Sequence, residues 1–173
     1  MHPSHNASQA TAQNSTSHSC SRLPLDLFKS GQLLVLKSNS RGGLIIQKPF
    51  YADFVGSGAA VGGSFDIQCT SVYVIGEVEF DVPASYEERQ QAFQTRIAYI
   101  QKLEEILSVS SSIHRACLMI QQLSLWLGVS HVRRIPLELI AQLGGVLPKT
   151  VSVAWQRLST RNASRLTEIR VAQ

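Results

Sequence analysis

Ser152, Val153 and Gln156 lie three, four and seven residues beyond Lys149, so the four side chains share one face of any helix drawn through them. A lysine on such a face donates to the guanine edge, and a glutamine pairs the edge of adenine. A helix that carries this set near its N-terminus has the chemistry to read bases in a major groove. Thr150, Arg157, Thr160, Arg161 and Arg165 fall nearer the phosphates, where such groups hold register without reading sequence. Arg133 and Arg134, further upstream, suit a backbone contact. Acid–base catalysis has less to draw on. Asp53, Asp66, Glu77, Glu79 and Asp81 come without the His, Lys or Cys partners that such chemistry recruits, and no enzyme is expected. GSGAAVGG and SFDIQ are weak phosphate loops, since neither a Lys nor an adjoining helix is expected to follow.

The elements that must position the base-reading face are legible in IPLELIAQLGGVLPKTVSVAWQRL, residues 135–158. Pro136 opens a helix whose apolar stripe is Leu137, Ile140 and Leu143, with small Ala141 where a crossing helix approaches. Gly144-Gly145 ends it and permits a left-handed turn, and Val146 plugs the corner. Pro148 opens the second helix, with Val151, Ala154, Trp155 and Leu158 facing inward. The plainer alternative is a helical hairpin with no role on DNA. Charge favours the first reading. Residues 131–173 hold seven Lys or Arg against two Glu, whereas residues 1–130 hold nine against ten Asp or Glu.

Two helices precede this pair. Residues 110–127 carry Ile113, Cys117, Ile120, Leu123 and Leu127, with Ser110 or Ser111 as cap and Gly128 as stop. Residues 84–107 carry Tyr86, Phe93, Ile100 and Leu107 at intervals of seven, with Ile97 among them. That spacing is the seam of a coiled coil, so a homodimer is expected; the alternative is a helix lying on its own β domain. Gln90 and Glu104 interrupt the seam.

Upstream, residues 23–82 have the texture of about five strands, with apolar runs at Leu33–Leu36, Leu44–Ile46 and Ser71–Ile75 between glycines. Residues 1–22 are polar without periodicity and read as a disordered tail, with His2, His5 and His18 solvated. His114 stands alone on its helix. Cys20, Cys69 and Cys117 lie too far apart for a disulfide framework, a zinc site or an iron–sulfur cluster, and Cys69 and Cys117 suit buried packing. No metal or cofactor is expected. No apolar run is long enough to span a membrane, and a cytoplasmic location is expected.

The order of these parts resembles the Crp/Fnr family of bacterial transcription regulators over residues 27–158. FKSGQLLVLKSNSRGGLIIQKPFYADFVG is similar to the middle of that family's jelly roll, LSVSSSIHRACLMIQQLSLWLG to its linking helix, and residues 135–158 to its helix-turn-helix. The resemblance implies an α+β chain in four parts. They are a tail (1–22), a partial β jelly roll (23–82), a dimerisation helix (83–108), and a winged-helix-like helix-turn-helix (109–173). It implies a dimer on double-stranded DNA, with RNA polymerase as a further partner. The departures are specific. Gly56 is followed by Ser57 where nucleotide-binding members carry Glu, and GSGAAVGGSFDIQCTSV has no Arg for a cyclic phosphate, so no cyclic nucleotide is expected. Pro148, Lys149 and Val153 replace the usual base-reading set, and TRNASRLTEIRVAQ is short for a wing. A dimeric interaction protein that has lost productive DNA binding is the alternative.

Overall fold

The computed structural model describes residues 25–171, with side chains placed through Thr160. The polar segment 1–22, with Cys20 and its histidines, lies outside the described residues.

The β body begins with a short helix, α1 (Leu25–Lys29), followed by β1 (Leu33–Leu36), β2 (Gly43–Gln47), β3 (Ala52–Val55) and β4 (Ala60–Gly62). A single turn of helix, α2 (Gly63–Asp66), precedes β5 (Ser71–Ile75) and β6 (Phe80–Asp81). The strands form two antiparallel sheets, ordered β4-β1-β6 and β3-β2-β5. Six short strands thus stand where about five were expected, and no barrel closes among the described residues. The expectation that no helix follows the glycine-rich stretch is corrected by α2. Its first turn is closed from within, the Asp66 carboxylate accepting from Gly62 N–H at 2.9 Å.

Strand β2 is buried on both sides, because alternate residues point to opposite faces. Leu44 and Ile46 join Phe28, Val55, Val61 and Val72 in the core between the sheets. Ile45 faces the other way, with Phe54 and Ile75, into a core shared with the helices. The sheet β3-β2-β5 is therefore a middle layer.

Pro83 ends the β body, and α3 (Tyr86–Leu107) follows. Ser85 caps it, its hydroxyl accepting from Glu88 N–H at 3.1 Å while the Glu88 carboxylate reaches back to Ala84 N–H at 2.7 Å. Ala92, Arg96, Leu103 and Ile106 are its buried residues, with Tyr99 half-buried between them. Next come α4 (Ser112–Leu127), α5 (Val129–Val132), α6 (Leu137–Gly144) and α7 (Pro148–Val171). Ser111 rather than Ser110 caps α4, and Gly128, at φ +83°, ends it. Met119, Ile120 and Leu123 pack on Leu139, Ile140 and Leu143 of α6 and on Val151 and Ala154 of α7. Each of these Met, Ile, Leu and Val side chains contributes about 1.5–3 kcal/mol by leaving water. Trp126 stacks on Phe54, with centroids 4.7 Å apart, and Tyr99 meets both rings edge-on.

One expectation fails at the C-terminal end. Where a stunted wing was expected after Leu158, α7 continues as helix to Val171, and no strand follows it among the described residues. Without a glycine between Leu158 and Val171, nothing in that stretch favours a hairpin over continued helix.

Candidate nucleic-acid interface

The turn between α6 and α7 is built as the sequence requires. Gly145 takes the left-handed conformation at φ +56°, and Val146 N–H closes on Ala141 O at 2.9 Å. Arg115 of α4 then pins the turn. Its Nε donates to Gly144 O at 2.8 Å, Nη2 to Gly145 O at 3.0 Å, and Nη1 to Val109 O at 2.8 Å. A guanidinium at these carbonyls also meets the negative end of the α6 dipole. Sequence reasoning missed Arg115, whose partners lie six residues before it and about thirty beyond it, with no local sign of either.

Opening with Pro148, α7 buries Val151 and Ala154 against α4 and α6, with Trp155 and Leu158 half-buried. This face is offset by two residues from the one bearing Lys149, Ser152, Val153 and Gln156. Two residues of helix turn by about 200°, so the two faces are nearly opposite. Lys149, Gln156 and Arg157 are exposed, whereas Thr150, Ser152 and Val153 are half-buried. Ser152 is turned to its own backbone, with Pro148 O at 3.5 Å. Thr160 is exposed and bonds Gln156 O at 2.9 Å. The side chains of Arg161 and Arg165 lie outside the described residues. Arg133 and Arg134 are exposed at the approach to α6, and Arg133 lies over the Trp155 ring at 5.9 Å.

The expected seam residues share one side of α3, one residue out of step with its buried stripe. Tyr86, Ile97 and Leu107 are 68%, 44% and 41% exposed, and Phe93 and Ile100 are half-buried. Phe93 leans on Phe65, with ring centroids 5.5 Å apart. Ile100 and Leu107 line an open cleft of about 480 Å³ between α3, the β2–β3 hairpin and α6. The cleft also holds Tyr51, beside which Phe50 is 94% exposed at the hairpin tip.

The acidic residues of the β body behave otherwise than expected. Asp53 and Asp66 do have basic partners, Lys48 five residues before Asp53 and Arg96 brought from a distance. Lys48 Nζ bonds Asp53 at 2.9 Å and stands 3.7 Å from Asp66. Arg96 Nη2 bonds Asp53 at 3.0 Å and Asp66 at 3.1 Å. All four are buried. The available signal was a lone Arg in the stripe Ala92, Arg96, Tyr99, Leu103 and Ile106. Glu79 and Asp81 pair with Lys37 at the surface. Cys69 is buried and Cys117 half-buried, and His114 is exposed. No group of three or more metal-ligating side chains occurs among the described residues, and none of their helices is long and apolar enough to cross a membrane.

Comparison with family models, with curated proteins and with solved structures gives no match for this chain.

Proposed function

We propose that the chain is a DNA-binding transcription regulator that acts as a homodimer, with α7 entering the major groove. One observation carries the reading. The left-handed turn at Gly145 sets α7 on α6 so that Val151 and Ala154 are buried while Lys149, Gln156 and Arg157 project from the outer side. Lys149 and Gln156 then meet bases, with Ser152 and Val153 between them, and Thr150, Arg157 and Arg161 follow the phosphates. Tyr86, Phe93, Ile97, Ile100 and Leu107 meet the same residues of a second copy, which sets two recognition helices one groove apart. Cyclic nucleotides are not the effector in this reading. The Ser57 hydroxyl is already given to Lys37 O at 2.9 Å, and no Arg lies in residues 56–72. The continuous helix to Val171 favours a second reading, an interaction protein on the same scaffold, since it puts helix in the stretch where a wing would grip the backbone.

Selection from a random DNA pool, followed by titration on selected and scrambled duplexes at two salt concentrations, separates the two. Lys149→Ala or Gln156→Ala reduces preference for the selected site by roughly 1–3 kcal/mol. Arg157→Ala weakens both duplexes alike and flattens the logarithmic salt slope by about one unit. Ile100→Glu gives monomers by sedimentation and loses tight binding. A wild-type chain that retains no duplex at low salt establishes the interaction protein instead.

A further inference from the structure

The two stripes of α3 are the same pattern displaced by one residue. The buried one is Ala92, Arg96, Tyr99, Leu103 and Ile106, and the outer one Phe93, Ile97, Ile100, Glu104 and Leu107. Each holds four uncharged, largely apolar side chains and one charged residue. A roll of the helix by one residue, about 100°, would carry the outer stripe onto the buried side, with Phe93 in the place of Ala92 and Ile100 in the place of Tyr99. The apolar pattern alone therefore does not choose between two orientations of α3, although side-chain sizes contribute. The charged residues discriminate well. In the rolled helix Glu104 would take the place of Leu103, and Ile97 would face Asp53 and Asp66 in place of Arg96.

Arg96 is also poorly used if its task is stability. It is wholly buried, yet only Nη2 is bonded, and Nε and Nη1 have no hydrogen-bond partner among the described residues. An apolar cluster would hold the same space at lower desolvation cost. What the ions add is direction: Lys48 follows β2, Asp53 lies on β3, Asp66 ends α2, and the charges balance only when Arg96 points among them.

We propose that Lys48, Asp53 and Asp66 form a lock for which Arg96 is the key. The lock fixes the rotation of α3 about its axis from within the chain, and so keeps the stripe of Phe93, Ile97, Ile100 and Leu107 turned toward a second copy. A buried polar residue that sets helix register at some expense of stability is an established physical device. Arg96 is here a positioning residue, and the proposal rests on the reading of α3 as a dimer helix.

The test replaces the charges together, as Lys48→Met, Asp53→Asn, Asp66→Asn and Arg96→Met, in a Trp155→Phe background. Trp126 then reports the rotation inside one chain through its contact with Tyr99, centroids 5.0 Å apart. The expected result is a cooperatively folding protein whose Trp126 emission moves to longer wavelength and whose dimer dissociates at roughly tenfold higher concentration or more. Unchanged Trp126 emission in the folded variant overturns the lock, whatever the dimer does. A monomeric parent with shifted emission in the variant overturns the dimer reading and keeps the lock. Should the fourfold variant not fold, single changes decide. Arg96→Lys keeps the parental emission and Arg96→Gln loses it, whereas identical emission from both overturns the proposal.

Discussion

Helix α3 is held from two directions by different forces. Toward α2 and the β2–β3 hairpin the contact is ionic, four buried charges on α3, α2 and the hairpin. Toward α4, α6 and the Phe54 ring of β3 it is apolar and aromatic, with Leu103 and Ile106 in the helical core and Tyr99 against Phe54 and Trp126. Apolar burial supplies most of the stability but is not directional, so side chains of similar size and shape can exchange within it. Charges give little net stability and tolerate few arrangements. The first junction sets orientation and the second supplies adhesion. Single substitutions should therefore behave differently at each.

The largest effect is expected on the ionic side. Arg96→Met leaves Asp53 and Asp66 to share Lys48 in a buried place, and should cost about 3–5 kcal/mol. Ile140→Val, at a fully buried position of the helical core, should cost only about 0.5–1.5 kcal/mol. Urea unfolding of the two variants at one pH checks the order. If Ile140→Val proves the more damaging, the ionic junction is not the costlier of the two to break.

The same contrast governs what was legible in the sequence. Apolar contacts leave a periodic trace, so the faces of α6 and α7, the cap at Ser111 and the stop at Gly128 stood close to where they were expected. The runs Leu33–Leu36, Leu44–Ile46 and Ser71–Ile75 gave three strands, while β4 and β6, at three and two residues, are too short to leave a period. Ion pairs leave no such trace. Arg96 finds Asp53 and Asp66 at separations of 43 and 30 residues, and Arg115 finds its turn 29 residues on. That Lys149, Ser152, Val153 and Gln156 share one face of α7 was legible because a helix face is a local property. The half-burial of Ser152 and Val153 depends on neighbouring helices and was not.

A smaller effect tests the turn that the apolar side must hold. Gly144 and Gly145 are adjacent but differ in conformation. A methyl group on Gly144 would meet Val146 and Met119 at ordinary contact distances of 3.6–3.9 Å, within a helix. Gly145, at φ +56°, has room for the methyl group but no relaxed conformation for it. Gly145→Ala should therefore cost about 1–2 kcal/mol, whereas Gly144→Ala should be neutral or gain about 0.5–1 kcal/mol. Thermal melts of the pair check this. Equal effects would mean that packing, not backbone conformation, sets the turn.

The smallest effect is on pH, where each junction contributes one titrating group. Burial pulls the Lys48 ammonium down, but the Asp53 hydrogen bond, the Asp53 charge and the Asp66 charge together outweigh it, and its pKa stands above the ordinary value of 10.5. Burial alone raises the Tyr99 phenol above its ordinary 10.0. In both cases the folded chain holds the proton more firmly than the unfolded one. Their contributions are complete below the unfolded values and are lost as pH rises through the folded ones, so stability should fall from about pH 10 upward. Lys48→Met should remove the ionic share of that fall and Tyr99→Phe the aromatic share. Added salt should weaken only what Lys48 contributes, because a neutral buried phenol has no counter-charge to screen. Urea midpoints at pH 8 and above pH 10, each at low and high salt, separate the two. An alkaline fall that neither substitution reduces would place the titrating groups outside both junctions.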